Sequence, residues 1–210
     1  MFAPEGWPFL LGGVLFSAVA AFLWPRNALL AGAGLLFTLF SAWFFRNPDR
    51  TPPAEAGVVV SPADGKIVYA GDCAPGRYVK EAGKRVSIFM SPLDVHVNRA
   101  PVSGKVVSVR YHPGEFHVAS VEKASLANEQ NGVAIATPEG RAVTYVQIAG
   151  LVARRIVCDV KEGDTVRQGQ RVGMIRFGSR VDLYLPAGTR LRVSGGDRVR
   201  AGETVIGAFQ

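Results

Sequence analysis

Metal-ligand clusters, nucleotide-binding glycine loops and cysteines are scarce or missing in this 210-residue chain, and each gap removes a class of function. Cys73 and Cys158 have no CxxC spacing and no neighbouring histidine, which argues against a disulfide framework or a zinc ribbon and leaves two free thiols. Only three histidines occur, His96, His112 and His117, in neither an HExxH helix nor a paired HxxxD and HxH arrangement, so no metal is expected. GxxxxGKS and GxGxxG loops are absent, and nucleotide use has no support. The length admits one sizeable core or two small ones and excludes a large multidomain enzyme.

Charge is also scarce in the first fifty positions, which hold only Glu5, Arg26, Arg46, Asp49 and Arg50. All three tryptophans and eight of the twelve phenylalanines lie within the first 45. Trp7 to Trp24 and Ala28 to Phe45 are uncharged runs of 18 residues, each near the length that crosses a hydrocarbon core, with Pro25-Arg26-Asn27 as a polar break between them. Trp7, Trp24 and Trp43 stand where an interfacial aromatic belt would place them. The pattern predicts a membrane-associated helical hairpin over 1–46. It is not a cleaved signal, which needs a basic leader where this chain has only Glu5. Both a spanning and a single-leaflet hairpin fit, because the runs are short and contain several glycines. Arg46 and Arg50 outnumber Arg26 in the turn, which places the main domain on the cytoplasmic side of the cell (inner) membrane. A Pro-rich linker over 47–57 ends the hairpin.

The remaining chain carries 21 basic and 15 acidic residues and contributes most of the pI of about 9.8. The cations are scattered singly and only nine aromatics accompany them, so nucleic acid is not an expected partner; a basic face toward anionic headgroups explains the charge. From Val58 onward, short Val/Ile/Tyr runs alternate with Gly, Pro and Asp about every ten residues, as in an all-β sandwich or barrel. Strands are expected at 67–69, 86–89, 106–109, 134–136 and 143–148, with a hairpin turn at Pro138-Glu139-Gly140 and a short helix over 120–128. The segment Val160 to Gly173 is echoed by Val193 to Ile206, matching Gly163/Gly196, Asp164/Asp197, Val166/Val199, Gly169/Gly202 and Val172/Val205. More loosely, Ser61-Pro-Ala-Asp-Gly-Lys-Ile-Val68 is echoed by Ala100-Pro-Val-Ser-Gly-Lys-Val-Val107. These units resemble the hammerhead hairpins of biotinyl/lipoyl-type barrels, a likeness that supplies a fold class for 58–210 and no function.

Between the two long repeats lies Arg176-Phe-Gly-Ser-Arg180, where a lipoyl-like carrier would present a modifiable lysine. A Gly-Ser pair is ordinarily a turn, and on that reading the protein is a membrane-anchored barrel adaptor or carrier. Chemistry offers an alternative. A serine hydroxyl in a strained turn attacks the preceding carbonyl, which Gly leaves unshielded, and elimination of the resulting ester releases the upstream chain and leaves a pyruvoyl group.

The hairpin, Ser61-Pro-Ala-Asp-Gly65, Ser91-Pro-Leu-Asp-Val-His-Val-Asn-Arg-Ala-Pro101, Ile148-Ala-Gly-Leu-Val-Ala-Arg-Arg-Ile156 and Phe177-Gly-Ser-Arg180 follow one another as in the short prokaryotic (type A) phosphatidylserine decarboxylases, which the whole chain resembles. The resemblance implies self-cleavage between Gly178 and Ser179 into a β chain of 1–178 and an α chain of 179–210, paired as a heterodimer, with further oligomerisation open. It implies a pyruvoyl cofactor derived from Ser179, with neither metal nor pyridoxal phosphate, which decarboxylates membrane phosphatidylserine to phosphatidylethanolamine through a Schiff base. His96 is the implied acid/base group, and Asp64 the residue that helps activate the serine through a neighbouring histidine. Here the chain departs from the longer forms, whose second histidine three positions after the first is Arg99; either His96 serves both steps or His117 or another group replaces the missing base. Arg154 and Arg155, in an otherwise apolar run, read either as holders of the lipid phosphate, since guanidinium donors match phosphate oxygens, or as a solvated or strand-edge pair, and His117 is a further candidate for substrate contact. Glu115, Asn128 and Glu129 lie in a segment used near the family's site, with no role assigned.

Overall fold

The computed structural model describes residues 1–25, 28–115, 128–150, 155–176 and 179–210. They form two compact units, Met1–Asp49 and Arg50–Gln210.

In the first unit a short 3-10 turn, Pro4–Gly6, leads into helix α1 (Trp7–Leu23), and α2 (Ala28–Phe44) returns. Pro4–Leu23 is long and apolar enough to cross a membrane, whereas α2 is apolar but shorter. Small residues set the crossing. A Cβ on Gly13 would meet the Thr38 hydroxyl, and one on Gly34 would meet that of Ser17, so the helices touch through their backbones. The hydroxyls themselves are satisfied within their helices, Ser17 donating to the Gly13 carbonyl and Thr38 to that of Gly34, both at 2.8 Å. The base of the hairpin is closed by Ala3 N–H on the Phe45 carbonyl and Asn47 N–H on the Met1 carbonyl.

The second unit is β throughout its described residues. Its strands are β1 (Val58–Val60), β2 (Gly65–Cys73), β3 (Gly83–Met90), β4 (Val97–Arg99), β5 (Gly104–His112), β6 (Gln130–Ala136) and β7 (Ala142–Ala149). They continue as β8 (Ile156–Cys158), β9 (Thr165–Val166), β10 (Arg171–Ile175), β11 (Ser179–Pro186), β12 (Thr189–Leu191), β13 (Arg198–Val199) and β14 (Val205–Phe209). An antiparallel eight-stranded sheet of order β13-β2-β3-β11-β7-β6-β5-β9 curls as a half-barrel, accompanied by β1-β14-β12 and β4-β10-β8. All five expected strands lie within β2, β3, β5, β6 and β7, and Pro138-Glu139-Gly140 makes the expected turn, with Gly140 N–H on the Thr137 carbonyl. The expected helix falls outside the described residues except for Asn128, which forms an isolated bridge with Glu115.

Sheet order and turn chemistry expose a duplication in which one copy is nested inside the other. The inner copy, β4 to β10, repeats the pairings of β1 to β3 completed by β11 to β14: β4-β10-β8 answers β1-β14-β12, and β9 on β5 answers β13 on β2. Turn for turn, Gly163 donates to the Val106 carbonyl as Gly196 does to that of Ile67, and Gly169 to that of Ala100 as Gly202 does to that of Ser61. The glycines take matching positive φ angles, 95° and 100° for the first pair and 77° and 76° for the second, which is why glycine recurs at both. Asp164 and Asp197 each accept the N–H three residues back, at 2.9 and 2.8 Å. The common core is a single apolar interior in which Ile67, Ile88, Val106, Ile135, Tyr145 and Leu183 are all buried.

Where strands of one copy approach most closely, no side chain fits. A Cβ on Gly104 would stand 2.2 Å from the Ala136 carbonyl oxygen, while Gly140, also at positive φ, faces open space. Gly104→Ala is therefore expected to lower stability by ~3 kcal/mol, and Gly140→Ala by ~1 kcal/mol. Denaturant titration of the detergent-solubilised chain, followed by strand circular dichroism, measures both.

Candidate active site

Ser179 opens β11 at the middle of the curled sheet, in register with Met90 of β3 on one side and Ala149 of β7 on the other. It is fully buried. Alternation along β11 turns Ser179 to the same face as Val181, Leu183 and Leu185, into the apolar interior. Its hydroxyl donates to the Met90 thioether at 3.3 Å. Behind that sulfur runs a line of buried amides: Asn98 Nδ2 lies 3.8 Å from Met90 Sδ, Gln147 Nε2 donates to Asn98 Oδ1 at 3.0 Å and to the Val157 carbonyl at 3.1 Å, and Asn131 Nδ2 donates to Gln147 Oε1 at 3.1 Å. The opposite face of β11 holds an ion pair instead. Arg180 Nε meets Asp182 Oδ1 at 2.6 Å and Arg180 Nη2 donates to the Ser87 hydroxyl at 2.7 Å, all three residues being buried.

The segments around Ser61–Gly65 and Ser91–Pro101 lie against each other, Arg99 N–H donating to the Pro62 carbonyl and Val60 N–H to that of Pro101. His96 is buried, and its own carbonyl accepts the Ile175 N–H at 3.3 Å, four positions before Ser179 in the chain. His96 Nδ1 lies 3.0 Å from the Asp94 carbonyl. A carbonyl only accepts, so Nδ1 carries the proton and Nε2 is the basic nitrogen. Asp94 is itself fixed in a turn in which its Oδ2 accepts the Ser91 N–H at 2.8 Å.

Asp64 sits in the second loop, its Oδ1 accepting the Ala201 N–H at 2.7 Å and its Oδ2 paired with Arg50 Nη2 at 2.8 Å. Arg50 reaches on to Glu203 Oε2 at 2.9 Å. The inner copy shows what the cap alone requires: there Ser103 Oγ accepts the Gln168 N–H at 2.9 Å, the bond equivalent to that of Asp64 with Ala201. A serine satisfies the turn, so the carboxylate at 64 serves the guanidinium. Arg99 directs Nη1 to the Gly169 carbonyl at 2.9 Å.

Arg155 presents an exposed side chain, and its carbonyl accepts the Arg176 N–H, three positions before Ser179. Asn128 is buried and donates to the Ala149 carbonyl at 2.7 Å, on the strand neighbour of Ser179, while Glu129 N–H bonds the Glu115 carbonyl. Gly178, His117 and Arg154 lie outside the described residues. Tyr145, on the inner face of β7 beside Gln147, has its phenol pushed well up by burial, and by the nearby Cys158 and Asp159, so it stays protonated and is no base at neutral pH. Both cysteines are free, and among the described residues no three His, Cys, Asp or Glu side chains converge.

Sequence reasoning missed Met90, Asn98, Asn131 and Gln147. The available signal was polarity at inward-facing strand positions, as in Val143-Thr-Tyr-Val-Gln147, where Gln follows Val143 and Tyr145 on the core face. Arg50 was read as a charge flanking the hairpin, but it is nine-tenths buried in its ion pairs with Asp64 and Glu203. Removing one partner of such a pair strands the other. Asp64→Ala is expected to cost ~3 kcal/mol, and Asp64→Ser, which restores the Ala201 cap, to recover ~1 kcal/mol of it; thermal melts of the full chain measure the difference.

Comparison with known proteins supplies the family. The family model described as phosphatidylserine decarboxylase matches residues 37–207. Three curated relatives are each named phosphatidylserine decarboxylase proenzyme. That of Paramagnetospirillum magneticum is 49% identical over 205 residues, covering 96% of this chain and 84% of the relative. That of Geotalea uraniireducens is 48% identical over 206 residues, covering 98% and 95%. The Mycolicibacterium smegmatis protein is 50% identical over 196 residues, covering 90% and 83%. With a family match across most of its length and relatives near half identity over nearly all of it, the chain belongs to the phosphatidylserine decarboxylase family.

Proposed function

We propose that this protein is made as a proenzyme, cuts itself between Gly178 and Ser179, and decarboxylates phosphatidylserine to phosphatidylethanolamine at the membrane. The observation that carries the reading is the setting of Ser179: a buried hydroxyl at the first position of a strand held on both edges, with His96 bonded to the chain just upstream. The surroundings suit a pyruvoyl group, because the side chain of residue 179 points at a thioether and an apolar interior that accept a methyl as readily as a hydroxymethyl. Once formed, that group supplies an electron sink for the pair released with CO₂, the part played elsewhere by pyridoxal phosphate. His96, with its proton on Nδ1, provides a basic Nε2 for proton transfer. Asp64 is a positioning residue, setting Arg50 and the loop that packs on the His96 segment. Arg155, together with Arg154 and His117, is assigned to the lipid headgroup; its exposed guanidinium beside the segment entering Ser179 suits a phosphate.

In this reading residues 1–46 attach the enzyme to the cell inner membrane, 47–57 link, and the cytoplasmic domain 58–210 adopts a hammerhead-type barrel built from the duplicated units. After cleavage the 32-residue α chain contributes β11 to β14, whose partners β1, β2, β3 and β7 all belong to the β chain, so the two remain a heterodimer. Intact-mass analysis under denaturing conditions is expected to give a 32-residue fragment, 179–210, blocked at its N-terminus, which gains lipid mass when cyanoborohydride is added with phosphatidylserine. Under native conditions the fragments are expected to co-elute. Ser179→Ala is expected to give one full-length, inactive chain; an active Ser179→Ala protein would refute the mechanism.

A further inference from the structure

The polar partner of Ser179 is an unexpected choice. The interior beside it holds three amide side chains, yet the hydroxyl donates to the sulfur of Met90, its direct neighbour across β3 and β11. Asn98 Oδ1, the nearest strong acceptor in the line, is occupied by Gln147 Nε2 at 3.0 Å. A thioether is a weak acceptor and at the same time a good apolar contact.

Resting on the self-processing reading above, we propose that Met90 is the residue matched to both chemical states of position 179. The atom balance of processing makes the demand explicit. Ser179 Oγ bonds the Gly178 carbonyl carbon as the peptide C–N bond breaks and the nitrogen becomes an amine. Loss of the Cα proton then breaks the Cβ–Oγ bond, and the oxygen departs within the Gly178 carboxylate. The dehydroalanine left behind takes a proton on Cβ, adds one water and releases one ammonia. Residue 179 therefore exchanges a hydroxymethyl for a methyl at the same buried place.

An amide or carboxylate at position 90 would hold the hydroxyl more strongly, but it would afterwards face a methyl as a buried acceptor with nothing to accept. A hydrocarbon would suit the methyl and leave the hydroxyl unoriented. Sulfur serves both, and Asn98 Nδ2 lies beside it at 3.8 Å. Before processing, the bond also directs the Ser179 proton toward sulfur and so turns the oxygen lone pairs away from Met90.

The test compares wild type, Met90→Leu and Met90→Gln as full-length protein in detergent, reading the 32-residue fragment by intact mass over time and the melting point of the processed form. Met90→Leu is expected to process roughly 2- to 10-fold more slowly, the worth of one lost hydrogen bond, and once processed to melt within about 2 °C of wild type, the weak Asn98 Nδ2 contact with sulfur being lost. Met90→Gln is expected to process at least as fast as wild type, and its processed form to melt roughly 3–8 °C lower. Packing and the Asn98 contact are controlled in the Ser179→Ala background, which holds a methyl without cleavage: there Met90→Leu should lower the melting point by no more than the same ~2 °C. Wild-type processing by Met90→Leu, wild-type melting of processed Met90→Gln, or a larger drop for Met90→Leu in the Ser179→Ala background would each overturn the proposal. A wild-type chain that never yields the fragment refutes the self-processing reading itself and this proposal with it.

Discussion

A strand hydrogen-bonded along both edges cannot change its register, and β11 is such a strand, paired with β3 from Ser179 to Pro186 and with β7 from Ser179 to Tyr184. Its two faces reinforce the constraint. Val181, Leu183 and Leu185 fill the core, while Arg180 and Asp182 form a buried ion pair on the other side. A slip of one residue would drive both charges into the hydrocarbon interior and expel the apolar set, a change far more costly than any single contact is worth. The position of Ser179 against Met90, and of the amide line behind it, follows from that register. So does the approach of the His96 segment, which is tied to Ile175 on the way into β11.

The nested duplication gives an internal reference for what is special about the site. By register the inner copy places Arg141 where the outer copy places Ser179, since Phe89 pairs with Arg180 as Ala136 pairs with Ala142. At the turn cap the inner copy uses Ser103, and the outer uses Asp64 with its added ion pair to Arg50. Elsewhere the copies keep the same glycine angles and the same backbone bonds. The copies thus differ at the two positions to which chemistry is proposed, and the shared turns are architecture.

Much of this was legible in the sequence, for identifiable reasons. The two uncharged runs and the five expected strands could be read because hydrophobic pattern and local turns specify them. The Gly163/Gly196 and Gly169/Gly202 matches carried the repeat because a positive φ leaves little choice of residue. What escaped was long-range. The pairing of Arg50 with Asp64 and Glu203 depends on the fold bringing a linker residue against a turn 153 positions away, and Arg50 was read as a flanking charge instead. Met90, Asn98 and Gln147 stand in ordinary-looking strands; only their convergence on one inner face makes them neighbours of Ser179. That one copy lies inside the other could not be read from two short echoes, because nesting is a property of sheet order.

Nesting also orders events in time. The inner copy is continuous in the chain, and its β6 and β7 pair across a single turn, whereas β11 must join β3 across a separation of 89 residues from Met90 to Ser179. Contacts of that span form late, after the local ones have removed most of the chain's freedom. The serine thus acquires its thioether neighbour and its buried setting only when the outer copy closes. A chain halted before β11 has been added lacks that environment altogether, so the fold itself acts as a clock for the processing proposed at this position.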